Sequence, residues 1–361
     1  MERATDMHEL LIVKTAALGD VLRTTSILEG LHERHAPARV TWLTAPGAVD
    51  LVRTHPLVAE VVAADPKSPA SMATARARLA PIVWERVISL DDEEPLCRLV
   101  AELTTRSLSG ATLDAAGRRV YTDDVAPWFD MGLLSRFGKA EADRLKVANT
   151  KSQPALYAEM LGLRMGKPRL VLPDDARAFG AEFRARHGLG ERRPLVGLNT
   201  GAGGRWLSKQ LSVERTVAFA EELARALSGR ATFVLLGGEA EGERNAAILR
   251  GLASSSEPVA CVDAGTENAL LDFAAIVAGL DLLVTSDSLA LHMAVAAGVP
   301  VVVFFAPTSA AEIELYGRGE KVVSTAPDYC SYRADADNST ITTERLVEAA
   351  VRQLGGVRTG R

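Results

Sequence analysis

The 361-residue sequence predicts an α/β protein of two doubly wound domains, on three observations. Its length exceeds what one hydrophobic core usually supports. Strand-sized apolar runs alternate with helix-length amphipathic stretches, the order that βαβ units require. That alternation lapses in mid-chain and restarts after the charged, proline-ended segment 191–194.

The first apolar run, Leu10-Leu11-Ile12-Val13-Lys14, reads as a strand. A small-residue turn ending in Gly19 and Asp20 follows it, then helical spacing at Val21, Leu28 and Leu31. Strand signals recur at 40–43, 58–62 and 82–90, which a parallel sheet would assemble. The stretch 91–172 reads as mostly helical, with Trp128, Phe129, Met131 and Phe137 as its apolar bulk. The pattern resets at Pro173-Asp174-Asp175, which divides the chain into domains 1–172 and 173–361 with a cleft expected between them. The second series predicts strands at 195–199, 232–236, 259–262, 282–285 and 299–305. Helices are expected at 213–227, 241–252 and 289–297, with a terminal helix at 342–354.

Composition narrows the function classes. Hydrophobic residues make up 47% and charged residues 24%, ordinary globular values. A net charge of -5 without a dense basic run argues against nucleic acid as a partner. Cys97, Cys261 and Cys330 are too scattered for a disulfide framework or a structural zinc, which fits a reducing compartment. No apolar run reaches the ~20 residues of a spanning helix, and residues 1–10 do not read as an export signal. A cytoplasmic protein with at most peripheral membrane contact is expected.

In doubly wound sheets ligands bind beyond the carboxyl ends of the strands, so the loops there are the places to search. The first such loop, 15–20, sets Asp20 at the start of a helix, where it can serve as a catalytic carboxylate or as a helix cap. The second runs Asn199-Thr200-Gly201-Ala202-Gly203-Gly204-Arg205-Trp206 and on to Lys209. Its glycines let backbone N–H groups approach phosphate, and Arg205 and Lys209 can neutralise a pyrophosphate; a plain glycine loop with a solvated lysine is the alternative. Trp206 stands where a dinucleotide fingerprint needs glycine, and Glu239 interrupts the other glycine cluster, so a nicotinamide or flavin site is disfavoured. The third loop contains Asp287 and Ser288 as candidate caps for a helix whose His292 points back toward its positive end. A structural hydrogen-bonding histidine is the alternative there. Asp335-Ala336-Asp337 matches a short acidic metal motif but sits in a polar tail segment, and the run Asp91-Asp92-Glu93-Glu94 reads as a solvated loop.

With these loops in place, nearly the whole chain resembles glycosyltransferase family 9, the heptosyltransferases that use ADP-heptose. The opening from Leu11 to Val21 resembles the family's first strand and Gly-Asp turn, which implies Asp20 as catalytic base. The segment from Gly201 to Lys209 resembles its phosphate loop, with Lys209 on the donor diphosphate. Leu235-Leu236-Gly237-Gly238-Glu239-Ala240-Glu241 is similar to the strand and acidic loop beside the nucleoside, which implies Gly238 and Glu241 as contacts to ribose or adenosine. Asp287, Ser288 and His292, with Phe305-Ala306-Pro307-Thr308, are similar to its donor-binding signature. Leu289 and Ala306 stand where the family usually has glycine, and Leu289 is expected in ordinary helical geometry.

The resemblance implies a GT-B fold, two Rossmann-like domains facing a central cleft, with the acceptor bound by the first and the nucleotide sugar by the second. It implies inverting transfer without a metal or other cofactor, from a donor that is itself a co-substrate, ADP-linked in this reading. The acceptor stays open among a lipopolysaccharide core or other glycan, a lipid-linked molecule and a small natural product. An anionic acceptor favours basic residues, for which Arg23, Arg53 and Arg136 are available. An epimerase or hydrolase on the same scaffold, or a non-catalytic nucleotide-binding protein, would fit the same fold.

Overall fold

Each alternating series closes into its own sheet. A computed structural model describes residues 7–132, 134–190, 194–202, 206–257 and 259–357. It divides into two units, 1–171 and 172–361.

In the first unit the strands are β1 (His8–Val13), β2 (Ala38–Thr44), β3 (Glu60–Ala63), β4 (Val83–Trp84), β5 (Arg86–Ser89), β6 (Thr104–Thr105), β7 (Leu108–Leu113) and β8 (Arg119–Tyr121). The main sheet runs β3-β2-β1-β5-β7-β8, parallel except for β8, while β4 and β6 form a separate short pair. Leu11, Val13, Leu43 and Val87 project from the strands onto Leu79, Leu96 and Val100 of the covering helices, all buried. The expected strand at 82–90 is thus split between two sheets. The largely helical reading of 91–172 is corrected by β6, β7 and β8. β7 reads Leu-Ser-Gly-Ala-Thr-Leu, whose small polar centre hides the strand period. Its Gly110 holds φ +136°, and a Cβ there would fall on the Ser89 backbone. Glycine is required for this close approach.

The second unit contains β9 (Leu195–Asn199), β10 (Thr232–Leu236), β11 (Ala260–Asp263), β12 (Leu282–Ser286), β13 (Val301–Phe305) and β14 (Gly319–Val323). Its sheet runs β11-β10-β9-β12-β13-β14 and is parallel throughout. Val196, Leu198, Phe233, Leu235, Val284 and Phe304 pack under Phe219, Leu223, Ile248 and Leu346 as its core. The helices Val213–Ala226, Gly242–Ala253, Leu289–Ala297 and Thr343–Val357 fall where the periodicity placed them. Two further elements carry no clear period. The helix Leu270–Ala278 is apolar almost all round, and β14 is a short strand at the sheet edge.

Both sheets therefore have the doubly wound strand order, whose direction of winding reverses beside the first strand of the series. The reversal lies between β1 and β5 in the first unit and between β9 and β12 in the second. Loops at such switch points diverge and leave a crevice for ligands. Among the described residues no helix is long and apolar enough to cross a membrane.

Candidate functional site

The switch point of the second unit gathers most of its predicted residues. At the end of β9 the Asn199 amide nitrogen lies 2.6 Å from the Gly201 carbonyl, 3.1 Å from the Thr285 hydroxyl and 3.2 Å from the Ser288 hydroxyl. This ties the glycine loop to the turn after β12. Ser288 occupies the N-cap position of the helix Leu289–Ala297. Its hydroxyl makes no capping bond, being engaged with Thr285 at 2.9 Å, which corrects the capping role expected of it. Leu289 begins the helix in helical geometry, as expected, so a side chain in place of glycine causes no left-handed strain there.

Lys209 ends the short turn Leu207–Lys209. Its ammonium donates to the Asp287 carbonyl at 2.8 Å, lies 3.1 Å from the Asp287 carboxylate, and sits 4.9 Å from the centre of the Trp206 ring. The His292 imidazole nitrogen is 3.8 Å from the other Asp287 oxygen. A lysine and a histidine thus converge on one partly buried aspartate that directly precedes a helix N-terminus, which puts two potential donors to an anion beside the positive end of that helix. The lysine turn is braced from behind. Ser208 N–H donates to the Ala334 carbonyl, and the Asn338 amide donates to the Ser208 and Gln210 carbonyls. Gly203, Gly204 and Arg205, also predicted for this loop, lie outside the described residues.

Beside it, Thr200 donates through its hydroxyl to Asn245 at 2.6 Å, and Arg244 donates to the Thr200 carbonyl at 3.0 Å. Burial pulls the Arg244 guanidinium below its usual pKa, with Glu241 and Glu214 opposing. Glu241 is 3% exposed. One of its oxygens accepts from the Gly238 N–H at 2.8 Å; the other is buried and takes no hydrogen bond among the described residues. A buried acceptor left open is costly unless a ligand completes it. A Cβ on Gly201 would overlap this carboxylate, so glycine is required at that point of the loop.

In the first unit Asp20 lies in the third position of the helix Leu18–Thr24, not at its cap, which is Ala17. One carboxylate oxygen accepts from the Ala17 N–H at 3.4 Å and the other is 2.8 Å from the Arg23 guanidinium. Its side chain is 36% exposed, whereas that of Arg23 is 11% exposed and packs against Trp128. Asp20 thus accepts from the N–H of the N-cap residue while its side chain stays partly exposed.

Within the acidic run 91–94, read as a solvated loop, Glu93 and Glu94 are exposed as expected but Asp91 is not. Asp91 is 7% exposed and pairs with Lys14, 6% exposed, at the end of β1. Burial alone would push Lys14 toward neutrality; the carboxylates of Asp91 and then Asp20 outweigh it and hold its pKa above the usual lysine value. Asp92 accepts from the Tyr121 hydroxyl at 2.9 Å and Glu94 pairs with Arg98. The sequence signal was present, an acid just past the strand that neighbours β1, but only the strand order makes it a partner for Lys14. Arg53 and Arg136 each have a local acidic partner, Asp50 at 2.8 Å and Asp130 at 3.0 Å. Asp335 pairs with Arg333, and Asp337 accepts from the Ser339 N–H. Among the described residues no group of three or more His, Cys, Asp or Glu side chains could hold a metal ion. Burial raises the pKa of the Cys97 and Cys261 thiols to about 12.

The family model for glycosyltransferase family 9 (heptosyltransferase) matches residues 138–340. No curated protein matches the chain by sequence. Among solved structures it is similar to a family 9 glycosyl transferase from Veillonella parvula, at 20% identity and a TM-score of 0.74 over 97% of this chain and 98% of that one. It is also similar to ADP-heptose lipopolysaccharide heptosyltransferase II of E. coli, at 18% identity and a TM-score of 0.67 over 97% and 99% of the two chains. E. coli heptosyltransferase WaaC, solved with ADP-2-deoxy-2-fluoro heptose, matches at 18% identity and a TM-score of 0.59, again over 97% and 99%. At these identities the structural likeness concerns the fold, which is GT-B with two Rossmann-like domains.

Proposed function

Since the chain belongs to glycosyltransferase family 9, we propose that it moves a sugar, heptose in our reading, from an ADP-linked donor to an acceptor hydroxyl with inversion and without a metal. Asp20 takes the proton of that hydroxyl. The acceptor oxygen then bonds to the anomeric carbon as the bond from that carbon to the diphosphate oxygen breaks, and nucleoside diphosphate leaves with the electron pair.

The charge that develops on the leaving diphosphate falls to Lys209, to His292 when protonated, and to the N-terminus of the helix Leu289–Ala297. The open oxygen of Glu241 would accept from a ribose hydroxyl, with Thr200, Gly201 and Gly238 shaping the backbone around the nucleoside. The observation that carries this reading is the convergence of Lys209 and His292 on Asp287 at the switch point of the second sheet. An ADP-linked heptose in the E. coli relative of the same fold supports the donor class. The acceptor is a glycan, lipid-linked or small-molecule hydroxyl.

The test is to incubate the protein with a panel of nucleotide sugars and candidate acceptors and to follow nucleoside diphosphate release. Release from ADP-heptose that depends on an acceptor supports transfer. Acceptor-independent release of free sugar would replace it with hydrolysis, and binding without turnover would reduce the protein to a nucleotide binder.

A further inference from the structure

In the turn that delivers Asp20, Thr15 is buried but the two residues after it are held by polar contacts. Ala16 and Ala17, between β1 and the helix Leu18–Thr24, are both exposed, so no buried side chain fixes them. Asp91 supplies what packing does not. One of its oxygens pairs with the Lys14 ammonium; the other accepts from the Thr15 N–H, from the Thr15 hydroxyl at 2.8 Å and from the Ala16 N–H at 3.4 Å. Lys14 also donates to the Ala16 carbonyl, so the ion pair grips the turn from both of its members.

The register explains how this forms. β1 and β5 run parallel with Val13 opposite Ser89, so Asp91 arrives level with Thr15 just beyond the strand ends. A buried ion pair contributes little net stability compared with apolar residues of the same volume. What it adds here is a defined path for the exposed 16–17 part of the turn, beyond the buried Thr15 and the Trp42 bond to the Lys14 carbonyl.

We propose that Asp91, with Lys14, is a positioning residue for the transfer: its carboxylate fixes the 15–17 turn and thereby sets the Asp20 carboxylate against the acceptor hydroxyl. The proposal rests on the reading of Asp20 as general base. Displacing that base by about an ångström is enough to slow turnover by up to ~100-fold without touching the donor.

The experiment compares Asp91→Asn, Asp20→Asn and the double variant, reading kcat for acceptor-dependent ADP release from ADP-heptose, ADP affinity by calorimetry, and melting. Asp91→Asn is expected to lower kcat by ~10–100-fold with ADP affinity unchanged, and to add nothing to the loss caused by Asp20→Asn, because it acts through that residue. Should the unpaired Lys14 prevent folding, Thr15→Val keeps the ion pair and removes one donor; a ~3–10-fold lower kcat at parental melting is expected. Parental kcat in Asp91→Asn or Thr15→Val, reduced melting with unchanged turnover per folded molecule, or losses that multiply in the double variant would overturn the proposal while leaving Asp20 as base. Parental activity in Asp20→Asn alone marks the failure of the base reading itself, and the positioning role falls with it.

Discussion

Lys209 and Asp287 are joined twice, through the carbonyl of Asp287 at 2.8 Å and through its carboxylate at 3.1 Å, with the lysine side chain 15% exposed. The lysine is therefore held at the carboxyl end of the second sheet, where we propose that the donor diphosphate binds. Lys209→Ala removes this cation and leaves the Asp287 carboxylate facing an incoming anion. ADP affinity, measured by calorimetry, should weaken by ~1.5–3 kcal/mol, the range for a hydrogen bond to a charged group. Unchanged affinity would take Lys209 out of the site.

Asp20→Asn preserves size and an oxygen able to accept from the Ala17 N–H, so it separates capping from catalysis. The ion pair with the largely buried Arg23 becomes a hydrogen bond to the amide oxygen, so the guanidinium keeps a partner. Melting and ADP binding should stay near parental values while turnover falls by ~10²–10⁴-fold. A variant within a few-fold of the parent would leave the first unit without its base.

Gly201→Ala puts a methyl group against the Glu241 carboxylate. Glu241 is anchored by Gly238 N–H and cannot retreat into solvent, so the 200–202 backbone must move instead. ADP affinity is expected to drop by ~10-fold or more, since a backbone displaced from its ligand loses its hydrogen bonds. Parental affinity in a titration would show that the nucleoside does not rest on this loop.

The leaving diphosphate is assigned to Lys209 and helix dipoles, so transfer should persist in excess chelator, whether added against divalent cations or iron. Full loss of activity, restored by one added metal ion, would reject the metal-free mechanism.

His55 is 5% exposed, and its imidazole accepts from the Leu57 N–H at 3.2 Å. Burial, and then the charge of Arg169, lowers its pKa to about 4. Because the unfolded chain binds this proton near pH 6.5, the contribution of neutral His55 is complete above that pH. It is lost as pH falls toward 4, by ~1–3 kcal/mol in all. Denaturant titrations at pH 7 and pH 4.5 should show this decrease, and His55→Asn, which keeps an acceptor for Leu57 but does not titrate, should reduce it. An identical pH slope in the variant would assign the loss to other groups.

How far the sequence reached can be judged from particular segments. Leu195–Asn199, Thr232–Leu236 and the helix Leu289–Ala297 were legible to the residue, because fully buried parallel strands are continuous apolar runs and the helix is closed by Gly298 in the left-handed conformation. β7 was not, because its Gly110 serves a contact with Ser89 that no local pattern announces. Lys209 and His292 were readable as candidate anion-binding residues after strands and Asp287 as a candidate helix cap, but their convergence required β12 to lie beside β9.

By itself the sequence determined the α/β class, the restart of the pattern near residue 194 and the residue types placed beyond each strand, since periodicity and turn chemistry are local. Strand order was decided only by the tertiary structure, because pairing depends on which apolar faces can be buried together across long separations. That order puts β5 beside β1, turns Asp91 from one acid in a charged run into the buried partner of Lys14, and gives the turn before Asp20 its anchor.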